Sequence, residues 1–502
     1  MACRAVGSGL LLSGLLGSLA SSTTAQQAPT AGSCRPAPEV DATTALRDAL
    51  RAIGATDRRP FVLHVRAADA TVEDYQSERT YPPFFLAFTS RESWYQPATG
   101  VLRVRGRITF PNGEFDPGET LSGPTATFSA GDSVRPAPAV HADALTLRAL
   151  DPWPVLYDWS VSRNVAVAGR CRVRDYPRIV LQRTGPYGRE RLALDPRTHL
   201  PVSLDREEPH YLWGQVSASY VYSNWDRSAG VALATSSFRV VDGAAEVSRT
   251  VASVNAMPAD SAPNLAVPDP QPVMPPGLPA FLRPTPPDSV RVGAATRLLV
   301  NPGYREGVVL LGDTLYLLDA TQGEERARAD SAMIARLFPG HHPIVLVVTD
   351  VAWPHVAGMR YWVARGATVV SHWVSRPFLE RVLARRWTRT PDLYERRRGN
   401  ARFTFIPVDD SLSLAGGGLR IHAIDGLGGE GAVIVYVEGD RFLWASDYVQ
   451  TVRQPSTYAT DVWRAVQRAG FHPSRVAAEH LPVTDWSTVD SLARSDIVKD
   501  TT

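Results

Sequence analysis

The stretch Ile344-Val-Leu-Val-Val-Thr-Asp-Val-Ala-Trp-Pro-His-Val-Ala-Gly358 decides how this chain is read. Residues 344–348 form an unbroken apolar, mostly β-branched run, which suits a strand buried on both faces of a layered α/β unit. Residues 349–353 then leave the carboxyl end of that strand, where such folds usually place their chemistry. Pro354 fixes φ and lacks a donor, so it suits the first turn of a following helix. Val356, Met359 and Val363 recur at helical spacing and give that helix a core-facing stripe.

Working outward, the second half of the chain interleaves strands and helices. Residues 307–310 and 314–318 read as a strand pair around Gly312-Asp313, and residues 324–337 as an amphipathic helix. A short strand is expected over 368–370. Ser375 can cap the next helix, with Pro377 in its first turn and Phe378, Val382 and Leu383 facing a core. The charged stretch 387–400 reads as an exposed insertion. Strands follow near 403–406, 419–424, 432–437 and 441–445, then a helix over 458–469 stopped by Gly470. A final short strand over 476–479 delivers His480. This order suits two sheets face to face with helices outside.

The first half is different. Residues 42–53 place Leu46, Leu50 and Ile53 on one helical face before Gly54. From residue 61 to about 255 the signals are mainly β, with runs such as 61–65, 101–105 and 216–222 between Gly, Pro, Asn and Asp clusters. Residues 257–288 are rich in proline, cannot build a core, and read as a linker. The organisation expected is a signal peptide (1–25), an entry segment (26–40), a mainly β unit (41–256), the linker (257–288) and a second unit (289–495). The signal peptide rests on Arg4, the apolar stretch 7–20 and Thr23-Thr24-Ala25, and implies an exported, periplasmic or extracellular protein with no transmembrane segment after its removal. Removal would leave Cys34 and Cys171, either as a disulfide or as two buried thiols.

Composition excludes little else. A formal charge of +2 gives no case for nucleic acid. Gly426-Leu-Gly-Gly-Glu-Gly431 has dinucleotide-loop spacing but precedes a strand rather than opening a helix. There is no Gly-x-Ser-x-Gly elbow and no phosphate loop ending in Gly-Lys-Ser/Thr.

The strand–loop–helix of 344–358, followed by Arg365-Gly-Ala-Thr-Val-Val-Ser-His372, resembles the metallo-β-lactamase superfamily, whose loop reads Thr-His-x-His-x-Asp-His. The resemblance implies an α+β fold of αββα type, a four-layer sandwich preceded here by a mainly antiparallel β domain. Thr349, His355 and the Val356-Ala357-Gly358 step fit the pattern, whereas the leading histidines would fall at Asp350 and Ala352 and the aspartate at Pro354. A third histidine would fall near Gly428. The first metal site of the family therefore looks lost, with Asp350 its one remaining candidate.

The second site looks better kept. Asp447 in Phe442-Leu-Trp-Ala-Ser-Asp-Tyr448 resembles the bridging carboxylate, and His480 in Ala477-Ala-Glu-His-Leu-Pro482 the distant histidine. The resemblance thus implies one metal ion on His355, Asp447 and His480, with Asp350 and Asp447 as catalytic carboxylates. Two histidines and one carboxylate with an open position suit zinc, manganese or iron and a metal-activated water. The bland readings stay beside it: a packed His355, an Asp447 that ties down a turn, a core His480, no metal, and a non-catalytic pseudoenzyme. Residues 179–254, with Leu194-Asp-Pro-Arg-Thr-His-Leu-Pro-Val202, also resemble the curved sheet of periplasmic lipoprotein-carrier proteins. That implies a small-molecule or lipid ligand in the first half, with a structural platform as the alternative.

Overall fold

The computed structural model describes residues 34–500 apart from 56–60, 74–80, 83, 111–112, 138–140, 186, 269–285, 302, 426–429 and 450–456. Most of the expected signal, entry and linker segments, and the loop around Gly428, lie outside the described residues.

Among the described residues the chain is mostly β-sheet, in sheets of fourteen, seven and six strands, with helices between them. The fourteen-stranded sheet holds the first half. Its centre joins distant parts of the chain, because Phe61–Val72 pairs antiparallel with Ala244–Pro258, in register Phe61 to Pro258. Residues 259–267 then fold back, and Leu265 packs with Val62, Trp94 and Phe128. Two helices fill one face. Ala42–Ile53 is capped by the Asp41 side chain and ended by Gly54 at φ 88°, a left-handed value that glycine adopts without strain. Pro152–Ser160 carries Trp153, Leu156 and Trp159 into the same cluster as Leu46 and Ile53. Cys34 and Cys171 form a disulfide that ties the start of the described chain to the strand Ala166–Val173.

In the second half, the strands Asp288–Arg291, Thr296–Asn301, Tyr304–Leu311 and Thr314–Leu318 run antiparallel. Ile344–Val347, Thr368–His372 and Thr404–Val408 continue the sheet in parallel. The quoted apolar run is therefore an interior strand, with Leu346, Val347 and Val348 fully buried. The six-stranded sheet spans Ser411–Leu414, Leu419–Ala423, Val433–Val437, Phe442–Trp444, Arg475–Ala477 and Thr484–Asp485. Val309, Leu318, Val347 and Val370 of one sheet share an apolar cluster with Ile421, Val435, Phe442 and Trp444 of the other. Ala327, Met359, Trp362 and Phe378, from helices, cluster with Leu346 and Val369, while Val462, Val466 and Val489 cluster with Ile434 and Leu443. None of the described helices is long and apolar enough to cross a membrane.

Two local expectations need correction. The stretch 387–400 is exposed over most of its length, but it is anchored rather than free-standing: it holds the helix Leu393–Arg397, and Tyr394 and Asp392 are buried. Arg389 and Arg396 pair nearer the surface with Glu207 and Glu324. One of its charges is paired inward, since Asp392 takes Arg360, which also donates to the carbonyls of Val382, Leu383 and Arg385. Breaking one partner of a buried pair of this kind costs about 3–5 kcal/mol. Ser375 stands at the start of the helix Arg376–Ala384 but makes no capping bond; its φ and ψ are helical, so its side chain does not face the free N–H groups. The second half closes with the helix Trp486–Asp500, which buries Val489 and Ala493.

The two halves meet around one hairpin, with further contacts from Arg389 to the Tyr187 carbonyl and Glu207 and from Arg385 to Asp242. The turn between Pro201–His210 and Gly214–Asp226 inserts Leu212 and Trp213 among helices of the second half. Arg381 lies over the Trp213 ring, and Arg385 donates to the carbonyls of Trp213 and Gln215.

Candidate metal centre

The strands Thr314–Leu318, Ile344–Val347 and Phe442–Trp444 all end at one edge, and each delivers polar residues to it. Asp319, the first residue past its strand, sits at φ 70° and is 1% exposed. Its carboxylate accepts from the Thr349 N–H at 2.8 Å and from Trp444 Nε1 at 2.9 Å. It also takes the Thr349 hydroxyl, at 2.7 and 2.9 Å to its two oxygens. That hydroxyl has one proton, which the carboxylate takes, so the 2.8 Å contact with Ser446 Oγ has the serine donating. Asp319 is thereby fixed in place.

His355 lies on the short helix Trp353–Val356 and is fully buried. Its Nδ1 is 3.1 Å from Asp319 Oδ2, an ion-pair contact whose geometry falls short of a hydrogen bond. This directs Nε2 the other way, to 3.5 Å from Glu479 Oε2. Glu479 follows the strand Arg475–Ala477, is fully buried, and has neither oxygen hydrogen-bonded. Asp447 completes the group: one ligand atom from each of His355, Asp447 and Glu479 lies within 4.8 Å of the others.

His480 stands beside this group. Its Nε2 is 3.6 Å from Glu479 Oε2 and 3.8 Å from Asp447 Oδ1, while Nδ1 contacts the Gly303 carbonyl at 2.5 Å. Glu479 Oε2 thus lies between two imidazoles. Asp350 lies outside the three-ligand group: its Oδ1 accepts from the Ala352 N–H at 2.7 Å, and its charge adds to those that hold the His355 imidazole up. His342 caps the far end of its strand through the Asp313 carbonyl. Tyr304 and Trp353 border the group, Tyr304 with its ring 5.1 Å from His480 and 6.2 Å from Trp353.

The electrostatics are one-sided. Burial works against a charged His355, but Glu479 and Asp319 outweigh it and hold the imidazole well above its ordinary range. Burial pushes the Glu479 carboxyl well up against the pull of His355, and Asp447, Asp319 and Glu306 add to the rise. Burial likewise raises the Tyr304 hydroxyl, helped by Glu479 and Asp447, so it keeps its proton. Three carboxylates gathered round one buried imidazole leave negative charge in excess. Buried polar atoms without partners are rare in folded proteins, and those of His355 and Glu479 face a common space. The donor set fits one divalent cation. Asp319 behind His355 is the usual arrangement by which a carboxylate orients a ligating imidazole.

Solved structures that resemble this chain are metallo-β-lactamases. They include DIM-1 metallo-β-lactamase, at 11% identity and TM-score 0.32, covering 42% of this chain and 97% of that one. The metallo-β-lactamase from Hirschia baltica, at 12% identity and TM-score 0.32, covers 42% of this chain and 97% of its own. That from Pontibacter korlensis, at 15% identity and TM-score 0.32, covers 41% and 97%. No family model matches the sequence, and no curated protein does. Likeness at this level adds no weight to the metal centre, which rests on the chain's own atoms.

The structure places His355, Asp447 and His480 at one edge, but the three-ligand group is His355, Asp447 and Glu479, and Glu479 and Asp319 are residues that the sequence pattern alone did not single out. Glu479 was hidden beside His480: alternation places one neighbour in and one out while a strand lasts, but this strand ends at Ala477, so both can face the group. Asp319 carried one readable signal, a polar residue directly after the apolar run Leu315-Tyr-Leu-Leu318, at the same sheet edge as Thr349.

Proposed function

We propose that residues 289–495 form a four-layer αββα unit of metallo-β-lactamase type that binds a single divalent cation and hydrolyses a small-molecule substrate. His355 Nε2, Asp447 and Glu479 hold the ion, with His480 Nε2 at its open side. The observation that carries this reading is the convergence of those three ligand atoms within 4.8 Å around a buried glutamate with no hydrogen bond of its own. Mixed imidazole and carboxylate donors suit zinc, manganese or iron. When bound, such an ion supplies Lewis acidity and a water of lowered pKa.

The chain's own residues set up the rest. Asp319 holds the His355 ring through Nδ1 so that Nε2 faces the ion. The carbonyl of Gly303 does the same for His480. Tyr304, still protonated, is a donor beside two carboxylates. Trp353 and the Tyr211 ring, 4.7 Å apart, shield one side of the mouth from water. Asp350, whose oxygen is committed to Ala352, supports the loop rather than the reaction. The protein is further proposed to be exported, with residues 1–25 as its signal peptide, and its first half to be a separate antiparallel unit. A second reading, binding without catalysis, draws on Ala352, which offers no ligating side chain where a second ion would need one.

The test is titration of chelator-treated protein with Zn²⁺ and Mn²⁺ by calorimetry. One saturable equivalent per chain is expected, weakened at least tenfold in Asp447→Ala. No saturable binding of either ion overturns the reading.

A further inference from the structure

A cavity of about 370 Å³ lies within the first half, between the strands around Val104 and Val247 and the helix His141–Ala149. Its volume is in the range of small-molecule sites. Val104, Ile108, Leu147 and Val247 give it an apolar body. Most of its charged lining is already neutralised from within. Arg91 pairs with Asp69 at 2.9 Å, and Arg239 pairs with Glu208 at 2.7 Å and with Glu246. Arg206 also holds Glu208. His210, with burial pushing it down to about 3, is neutral, and its Nδ1 accepts from the Leu212 and Trp213 N–H groups.

Asp143 is the exception. It lies in the first turn of the helix His141–Ala149, lines the cavity and is exposed to solvent. Burial raises its carboxyl, and Arg239, the cation acting on it, is already held by two glutamates. No ion pair or hydrogen bond engages the Asp143 carboxyl among the described residues. An anion in this cavity would meet that carboxylate with both arginines already occupied. A neutral apolar molecule would leave the carboxylate desolvated without a partner, which costs more than pairing it.

We propose that this cavity is a binding site for an apolar amine, a molecule with a hydrophobic body and one ammonium group that pairs with Asp143. The site is separate from the metal centre and does not depend on it.

The experiment is equilibrium fluorescence titration of the full chain with dansylcadaverine, a cationic hydrophobic probe, and with 1-anilinonaphthalene-8-sulfonate, its anionic counterpart. Saturable binding of the cation at one site is expected, at least tenfold tighter than the anion. Asp143→Asn should remove that preference, and Leu147→Trp, which fills the cavity, should abolish binding. His355→Ala should change nothing. Equal affinity for the two probes, or an unchanged preference in Asp143→Asn, overturns the proposal. Because Asp143→Asn alters a residue open to water, it remains decisive even where Leu147→Trp fails to fold.

Discussion

Replacing Glu479 by glutamine should have opposite effects with and without metal. The side chain is fully buried, neither oxygen is hydrogen-bonded, and its two nearest nitrogens, on His355 and His480, stand at 3.5 and 3.6 Å. A buried carboxylate so placed costs several kcal/mol, part of which is relieved by protonation. The neutral amide keeps the shape and removes the charge, so metal-free Glu479→Gln should gain about 1–3 kcal/mol. At about 2–4 °C per kcal/mol for a unit of this size, that is a rise of about 2–12 °C in melting temperature. The raised carboxyl also sets the sign with pH. A group whose folded pKa is raised contributes stability below its unfolded value and loses it as pH rises towards the folded one. The advantage of the variant should therefore grow between pH 5 and 8. With metal the order reverses. An ion at one thousand times its Kd stabilises the native protein by about 4.1 kcal/mol, and the variant should lose most of that. The assay is thermal unfolding of both proteins at pH 8, after chelation and after adding Zn²⁺. A variant less stable than the native protein without metal, yet equally stabilised by zinc, would refute the reasoning.

Three further outcomes are expected. Asp69, with burial opposed by Arg249 and Arg91, is held at about 2 against the usual 3.8, and at about 1.4 kcal/mol per unit this is about 2.5 kcal/mol, of which about 2 is lost by pH 2. A depressed carboxyl contributes above its unfolded pKa and loses that contribution as pH falls, so native protein should lose about 2 kcal/mol more than Asp69→Asn between pH 5 and 2 in denaturant titrations. Reduction of Cys34–Cys171, which closes a separation of 137 residues, should cost about 2–5 kcal/mol, and unchanged unfolding in Cys171→Ser would contradict this. Trp213→Ala should cost about 3–5 kcal/mol in thermal unfolding, because the ring fills a shared core between Phe378 and Arg381; a loss under 1 kcal/mol would show that the hairpin does not join the halves.

The second half was the more legible part of the chain. The run 344–348, the stop at Gly470 and the apolar face of the helix containing Phe378 each declare their structure over a few residues. So did His355 and Asp447, since both closely follow apolar runs. What sequence could not show depends on distant partners. The pairing of Phe61 with Pro258 spans nearly two hundred residues, and nothing local announces it. The dense charges of 387–400 do mark a mostly solvated stretch, but nothing local announces that Asp392 within it pairs inward with Arg360. Ser375 had the right type for a cap and the wrong backbone. Glu479 needed the end of its strand to be known to within a residue.

The most direct measurement is anomalous diffraction at the zinc edge from a zinc-soaked crystal. One peak per chain is predicted, about 2.0–2.2 Å from His355 Nε2 and from carboxylate oxygens of Asp447 and Glu479. No peak at that edge of the sheets, or a peak held by other residues, would contradict the metal centre described here.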